Sequence, residues 1–144
     1  MAALTMHYTV DGNDFTLAGD CSSKVKKSLT QLGFDPTTIR KVAIAMYEGE
    51  INMVIHANGG FIDVSIEPDK IVAVLNDHGP GIADIEKAMQ EGFSTASNKV
   101  RELGFGAGMG LPNMKKYSDE MNISTKIGEG TIVTLTFYTK KTDN

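Results

Sequence analysis

Cysteine is nearly absent from this chain. Cys21 is the only one in 144 residues, which rules out an internal disulfide framework and fits a reducing compartment. No apolar run approaches the roughly 20 residues needed to cross a bilayer. Met1 to Asp11 lack the basic start and long apolar stretch of a signal peptide, so a cytoplasmic location is expected. Histidine is scarce too. His7, His56 and His78 show no zinc-ligand spacing such as H-E-x-x-H, and a metal, if bound, should take oxygen ligands. Nor is there a positive excess: 14 Lys and Arg against 18 Asp and Glu leave a net charge of -4. That balance argues against broad binding to nucleic acid or anionic membrane. What is present, 41% hydrophobic and 22% charged residues, is ordinary for a globular protein with one core.

Read in order, Leu4 to Val10 alternates loosely and is expected to be an edge strand. After the turn Asp11-Gly12-Asn13-Asp14, Phe15-Thr16-Leu17 forms a short strand or extended approach. Asp20 or Ser22 caps a helix to about Leu32, with Val25, Leu29 and Leu32 on one face, and Gly33 stops it. Asp35-Pro36 opens a second helix, to about Ala57. Its interior is apolar on nearly every side, so it should be buried. Phe61 to Glu67 alternates as a half-buried strand, and Pro68-Asp69-Lys70 turns it back into Ile71 to Leu75. That unbroken apolar run reads as a fully buried strand. A short helix from Ile85 to about Glu91 follows, then a long aperiodic loop from Phe93 to Met109. Another helix runs to about Tyr117 or Ser118. Met121 to Ile127 and Thr131 to Tyr138 make a last hairpin across Gly128-Glu129-Gly130, and Lys140 to Asn144 is a polar tail. No repeat or linker interrupts the chain, so a single domain over residues 1–144 is expected.

Three constellations carry possible chemistry. Glu48 and Asn52 stand four apart on the buried helix, one turn above the other. Such a pair offers a carboxylate for a proton and an amide oxygen for a hard cation. Glu50 competes as the active carboxylate, but at i+2 it points to a different side. Asp77-x-Gly79-x-Gly81 follows the apolar strand. Its carboxylate accepts hydrogen bonds only, which suits an exocyclic amine such as that of adenine, and glycines admit a flat ring to the main chain. The same residue types also make an ordinary turn. Gly106-x-Gly108-x-Gly110-Leu111 opens a helix and would give a polyphosphate a set of N–H donors. It is neither a P-loop, since no G-K-[ST] follows, nor the dinucleotide fingerprint.

Each signal is weak singly, and their order is not. E-x-x-x-N on a helix, then D-x-G-x-G after a hairpin, then G-x-G-x-G-L before a helix, then Gly130-Thr131 on a closing strand resembles the GHKL (Bergerat-fold) ATP-binding domain of gyrase, MutL and histidine kinases. The likeness covers about Pro36 to Tyr138. The finer likeness is to the stand-alone anti-sigma-factor and stressosome switch serine kinases, and the stretch from Asp77 to Thr95 is most similar to the switch kinase.

The resemblance implies an α+β two-layer sandwich, with a mixed or antiparallel sheet covered on one face by helices and a lid at about 93–110. It implies ATP and Mg²⁺ as cofactors. Glu48 would be the catalytic base and Asn52 the Mg²⁺ ligand. Asp77 would take the adenine amine, helped by a water shared with Thr131, while Gly79 and Gly81 admit the base. Gly106, Gly108, Gly110 and Leu111 would donate to the phosphates. Lys99 and Arg101 in the lid could approach the γ-phosphate, although each is more simply a solvated charge, and His56 and His78 have no catalytic role. The implied activity is a serine/threonine protein kinase acting on a small STAS-domain antagonist, with a sigma factor or phosphatase as further partners. The alternatives are an ATP-dependent sequestering module and an orphan ATPase. Homodimers occur among anti-sigma kinases, and the resemblance leaves that assembly open.

Overall fold

A computed structural model of the chain describes residues 4–12, 19–56, 59–79, 81, 89 and 110–139. The expected approach at Phe15–Leu17, nearly all of the helix expected from Ile85, the loop from Phe93 to Met109 and the tail from Lys140 lie outside the described residues. The elements are β1 (Leu4–Asp11), α1 (Asp20–Gln31), α2 (Pro36–His56), β2 (Gly59–Ile66), β3 (Lys70–Asp77), α3 (Gly110–Tyr117), β4 (Glu120–Lys126) and β5 (Gly130–Tyr138). Five strands form one sheet in the order β1-β2-β3-β5-β4. Every pairing is antiparallel, so of the two expected sheet types the described strands form the antiparallel one.

Alternation along the strands sorts the sheet into two faces. Ile62, Val64 and Ile66 of β2, Ile71, Ala73 and Leu75 of β3, and Val133, Leu135 and Phe137 of β5 are buried in one cluster. Val25 and Leu29 of α1, Val42, Ala45, Met46, Met53 and Val54 of α2, and Met114 of α3 complete it. Burying a side chain of this size contributes about 1.5–3 kcal/mol, so this cluster holds the two layers together. The expectation of a fully buried β3 is corrected: Val72 and Val74 are only half-buried. They face away from the described helices, which cover one face of the sheet. An apolar run cannot show which of its faces is covered.

The helix ends follow local chemistry. At the end of α1 the Gly33 N–H donates to the Thr30 carbonyl and the Phe34 N–H to the Leu29 carbonyl, both at 3.2 Å, which is the Schellman closure. Leu32, expected on the buried face, is 52% exposed, because it is the C-cap residue where the helix has already ended. Asp35 caps α2 as expected: its carboxylate accepts from the Thr38 N–H at 3.1 Å and from the Thr38 hydroxyl at 2.5 Å. Those two bonds, the hydroxyl first, hold the Asp35 carboxyl below its usual range. Among the described residues, no helix is long and apolar enough to cross a membrane.

Candidate functional site

Helix α2 sets the site through three consecutive residues. Successive helical side chains differ in direction by about 100°, so Glu48, Gly49 and Glu50 meet three different neighbours. Glu48 meets α3, where Asn113 Nδ2 donates to its Oε1 at 3.2 Å. Gly49 meets the sheet: a Cβ there would lie 2.3 Å from Leu75 Cδ2 and 3.0 Å from Met114 Cε. A side chain there would have to displace the Leu75 and Met114 side chains that seat α2 on β3 and α3. Glu50 meets α1, where its carboxylate accepts the N–H of Gly19 at 2.9 Å, of Cys21 at 3.2 Å and of Ser22 at 2.9 Å.

This arrangement corrects the expected capping of α1. Gly19 is the N-cap residue and no side-chain cap comes from the helix's own sequence. Neither Asp20 nor Ser22 caps, because the buried Glu50 carboxylate already takes the first-turn donors. Burial and then the Glu50 charge push the Cys21 thiol well up, so it stays protonated and unreactive. A cavity of about 250 Å³ between β1, α1 and α2 is lined by Tyr8, Asp20, Cys21, Lys24 and Glu50. None of the expected site residues among those described lines it.

On the opposite side of α2, Glu48 and Asn52 are both half-buried and share a helical face. Asn52 Nδ2 contacts Met114 Sδ at 3.9 Å, one residue beyond the partner of Glu48. The Asn52 side-chain oxygen has no hydrogen bond among the described residues. The described residues contain no cluster of three or more His, Cys, Asp or Glu suited to a metal. A cation here would therefore depend on an amide oxygen plus ligand phosphates and water, which is how Mg²⁺ is commonly held. The residues fit that ion.

Asp77 is the last residue of β3, which runs two residues past the expected end at Leu75. Its Oδ1 accepts from the Gly79 N–H and from the Thr131 N–H, each at 3.0 Å. The first bond is the turn chemistry read from sequence, and the second ties the carboxylate to β5. One oxygen is thus fixed, and Oδ2 has no partner among the described residues. Beneath it, Gly130 has φ 114, and a Cβ there would sit 2.2 Å from the Asp77 carbonyl oxygen. Only glycine tolerates both conditions. Thr131 is buried, and its hydroxyl lies 2.8 Å from that of Thr125 across the β4–β5 register.

Gly79 and Gly81 follow at the same edge. Gly81 has a structural duty of its own, since a Cβ there would approach the Lys126 carbonyl oxygen to 2.7 Å. Gly110 and Leu111 open α3, and Leu111 packs on the core. Gly106, Gly108, Lys99 and Arg101 lie outside the described residues. Sequence reasoning missed Asn113, and it placed Gly130 in the pattern without its close approach to the Asp77 carbonyl. Glycine next to Thr131 was a visible signal, whereas Asn113 gave none.

Against known proteins, residues 17–137 match the family described as the histidine kinase-like ATPase domain. The chain is 33% identical over 105 residues to the serine/threonine-protein kinase RsbT of Bacillus subtilis, covering 70% of this chain and 73% of that protein. It is 36% identical over 111 residues to an anti-sigma F factor of Caldanaerobacter subterraneus, covering 72% and 74%. Among solved structures, the RsbU and RsbW domains of Rv1364c from Mycobacterium tuberculosis align over 95% of the chain with TM-score 0.64 and 19% identity. The chain spans only 33% of that longer protein. A mycobacterial sensor histidine kinase, MprB, aligns over 94% of this chain and 99% of its own with TM-score 0.53 and 18% identity. These two share the fold. By the extent of the family match and by both curated relatives, the chain belongs to the histidine kinase-like ATPase domain family.

Proposed function

We infer that the chain binds Mg-ATP and transfers its γ-phosphoryl group to a serine or threonine hydroxyl on a small STAS-domain partner. The observation that carries this reading is the convergence of Glu48 and Asn52 on α3, the helix whose first residues are Gly110 and Leu111. The fixed Asp77 carboxylate receives the adenine amine through Oδ2, and Gly79 and Gly81 leave room for the ring. Gly106, Gly108, Gly110 and Leu111 supply N–H donors to the phosphates, and the α3 dipole favours their negative charge. Magnesium, held by Asn52, would neutralise charge on the phosphate oxygens. Glu48 orients the acceptor hydroxyl and takes its proton as that oxygen bonds to the γ-phosphorus. The bond from that phosphorus to the bridging oxygen breaks, and ADP leaves with the electron pair.

On this reading residues 1–144 form one domain that acts in the cytoplasm. The relative named as a serine/threonine-protein kinase supports transfer. A second reading, ATP-dependent sequestration of a partner with little transfer, is favoured by the relatives named as anti-sigma F factors. Incubation with γ-labelled ATP and STAS-domain proteins separates them. A labelled partner supports the kinase, and a nucleotide-dependent complex without label supports sequestration. Asp77→Asn tests the nucleotide end. It replaces a full charge with a dipole at the amine and should weaken adenine-nucleotide binding by roughly tenfold or more, about 1.5 kcal/mol for a bond to a charged group. Unchanged affinity in a calorimetric titration would remove Asp77 from the site.

A further inference from the structure

We propose that Asn113 is a positioning residue: it aims the Glu48 carboxylate and makes that aim depend on where α3 sits. The proposal rests on the reading of Glu48 as the base. A glutamate side chain has three rotatable bonds, and a base must hold one direction to meet a hydroxyl proton. Among the described residues, the Asn113 amide is the one group that hydrogen-bonds Glu48, at 3.2 Å. Gly49 cannot help, having no side chain, and Glu50 is fully engaged with α1.

Asn113 stands three residues after Gly110, nearly one turn along the two-turn helix α3. Met114 beside it fixes the register of that helix. It is buried in the core and touches the Asn52 amide. A helix this short moves as one body. A phosphate group drawing on N–H donors at the head of α3 therefore pulls on the same rod that carries the Glu48 partner. In this chain the group that receives phosphate and the group that aims the base are one covalent unit.

The test uses the full chain with a partner it labels. Asn113→Asp keeps the shape of the side chain, removes the donor and sets a carboxylate against Glu48. Asn113→Ala removes the donor alone. Both should keep the parent's affinity and KM for ATP, which reports an intact fold, while the transfer rate at saturating ATP falls about 10- to 100-fold, as loss of an orienting partner commonly gives. The Asp variant should be the worse of the two. In a Glu48→Ala background the same substitutions should change the rate less than twofold, because a positioning residue has nothing left to position. A packing role would instead spare Asn113→Asp and would add to Glu48→Ala. Parent-like transfer by both single variants, with Glu48→Ala inactive, overturns this inference and leaves the base assignment standing. Parent-like transfer by Glu48→Ala itself overturns the base assignment and this inference with it.

Discussion

Glu48→Ala should lose phosphoryl transfer by about 10²- to 10⁴-fold, the usual contribution of a positioned general base, and keep its affinity for ATP. The reasoning is geometric. Glu48 is half-buried and spends one oxygen on Asn113, so it offers its remaining acceptor capacity toward the side of α2 that also carries Asn52. It supports no other described element, and its removal should leave the melting temperature within about 2 °C of the parent, since substitutions away from a structural feature cost about 0.5 kcal/mol or less. The measurement is single-turnover transfer to a labelled partner, with nucleotide affinity determined in parallel. Transfer at the parental rate would strip Glu48 of its assigned role.

Two positions along, the opposite outcome is expected. Glu50→Ala should destabilise the fold by about 3 kcal/mol, because it strands two buried donors and a half-buried one, a buried donor costing roughly 1–3 kcal/mol when unpaired. Gly19, Cys21 and Ser22 lose their acceptor together, and the positive end of α1 loses its counter-charge. For a chain of this size that corresponds to a melting temperature lower by roughly 10 °C. Glu50→Gln retains an oxygen but brings a donor into a nest of donors, so it should fall between the two. Thermal denaturation followed by circular dichroism decides the matter. If Glu50→Ala melted like the parent, the capping role would be refuted. On the proposed reading, two carboxylates separated by one glycine divide the work of α2, one toward chemistry and one toward stability.

What could be read from residues alone differs between these two. The alternation of Ile62, Val64 and Ile66 against Asp63, Ser65 and Glu67 displays which side of β2 is inward. Asp35-Pro36 displays a helix start because the cap and its partner Thr38 are neighbours. Spacing showed that Glu50 leaves the Glu48 face, but its partners lie about 30 residues upstream, beyond the reach of any periodicity. The same holds for Asn113, which sits 65 residues from Glu48 inside an unremarkable helical tripeptide with Pro112 and Met114. Ile71 to Leu75 carried the reverse error. Its uniform apolarity suggested two covered faces, whereas Val72 and Val74 are only half-buried among the described residues. Local contacts were legible; side chains that bridge distant elements were not.

The bond from the Thr131 N–H to Asp77 spans 54 positions of sequence, and this has a consequence for the order in which the protein matures. During synthesis the ribosome releases the Asp77 turn long before it releases Thr131. Until β5 docks beside β3, the Asp77 side chain lacks the second of its two donors, and Gly130 is not yet seated against its carbonyl. A nascent chain halted at Lys126 would contain Glu48, Asn52, Asp77 and all the glycines from Gly106 to Gly110, yet leave the Asp77 carboxylate without its bond from β5. If Asp77 receives the adenine amine as proposed, competence for nucleotide arrives only once the β4–β5 hairpin has docked.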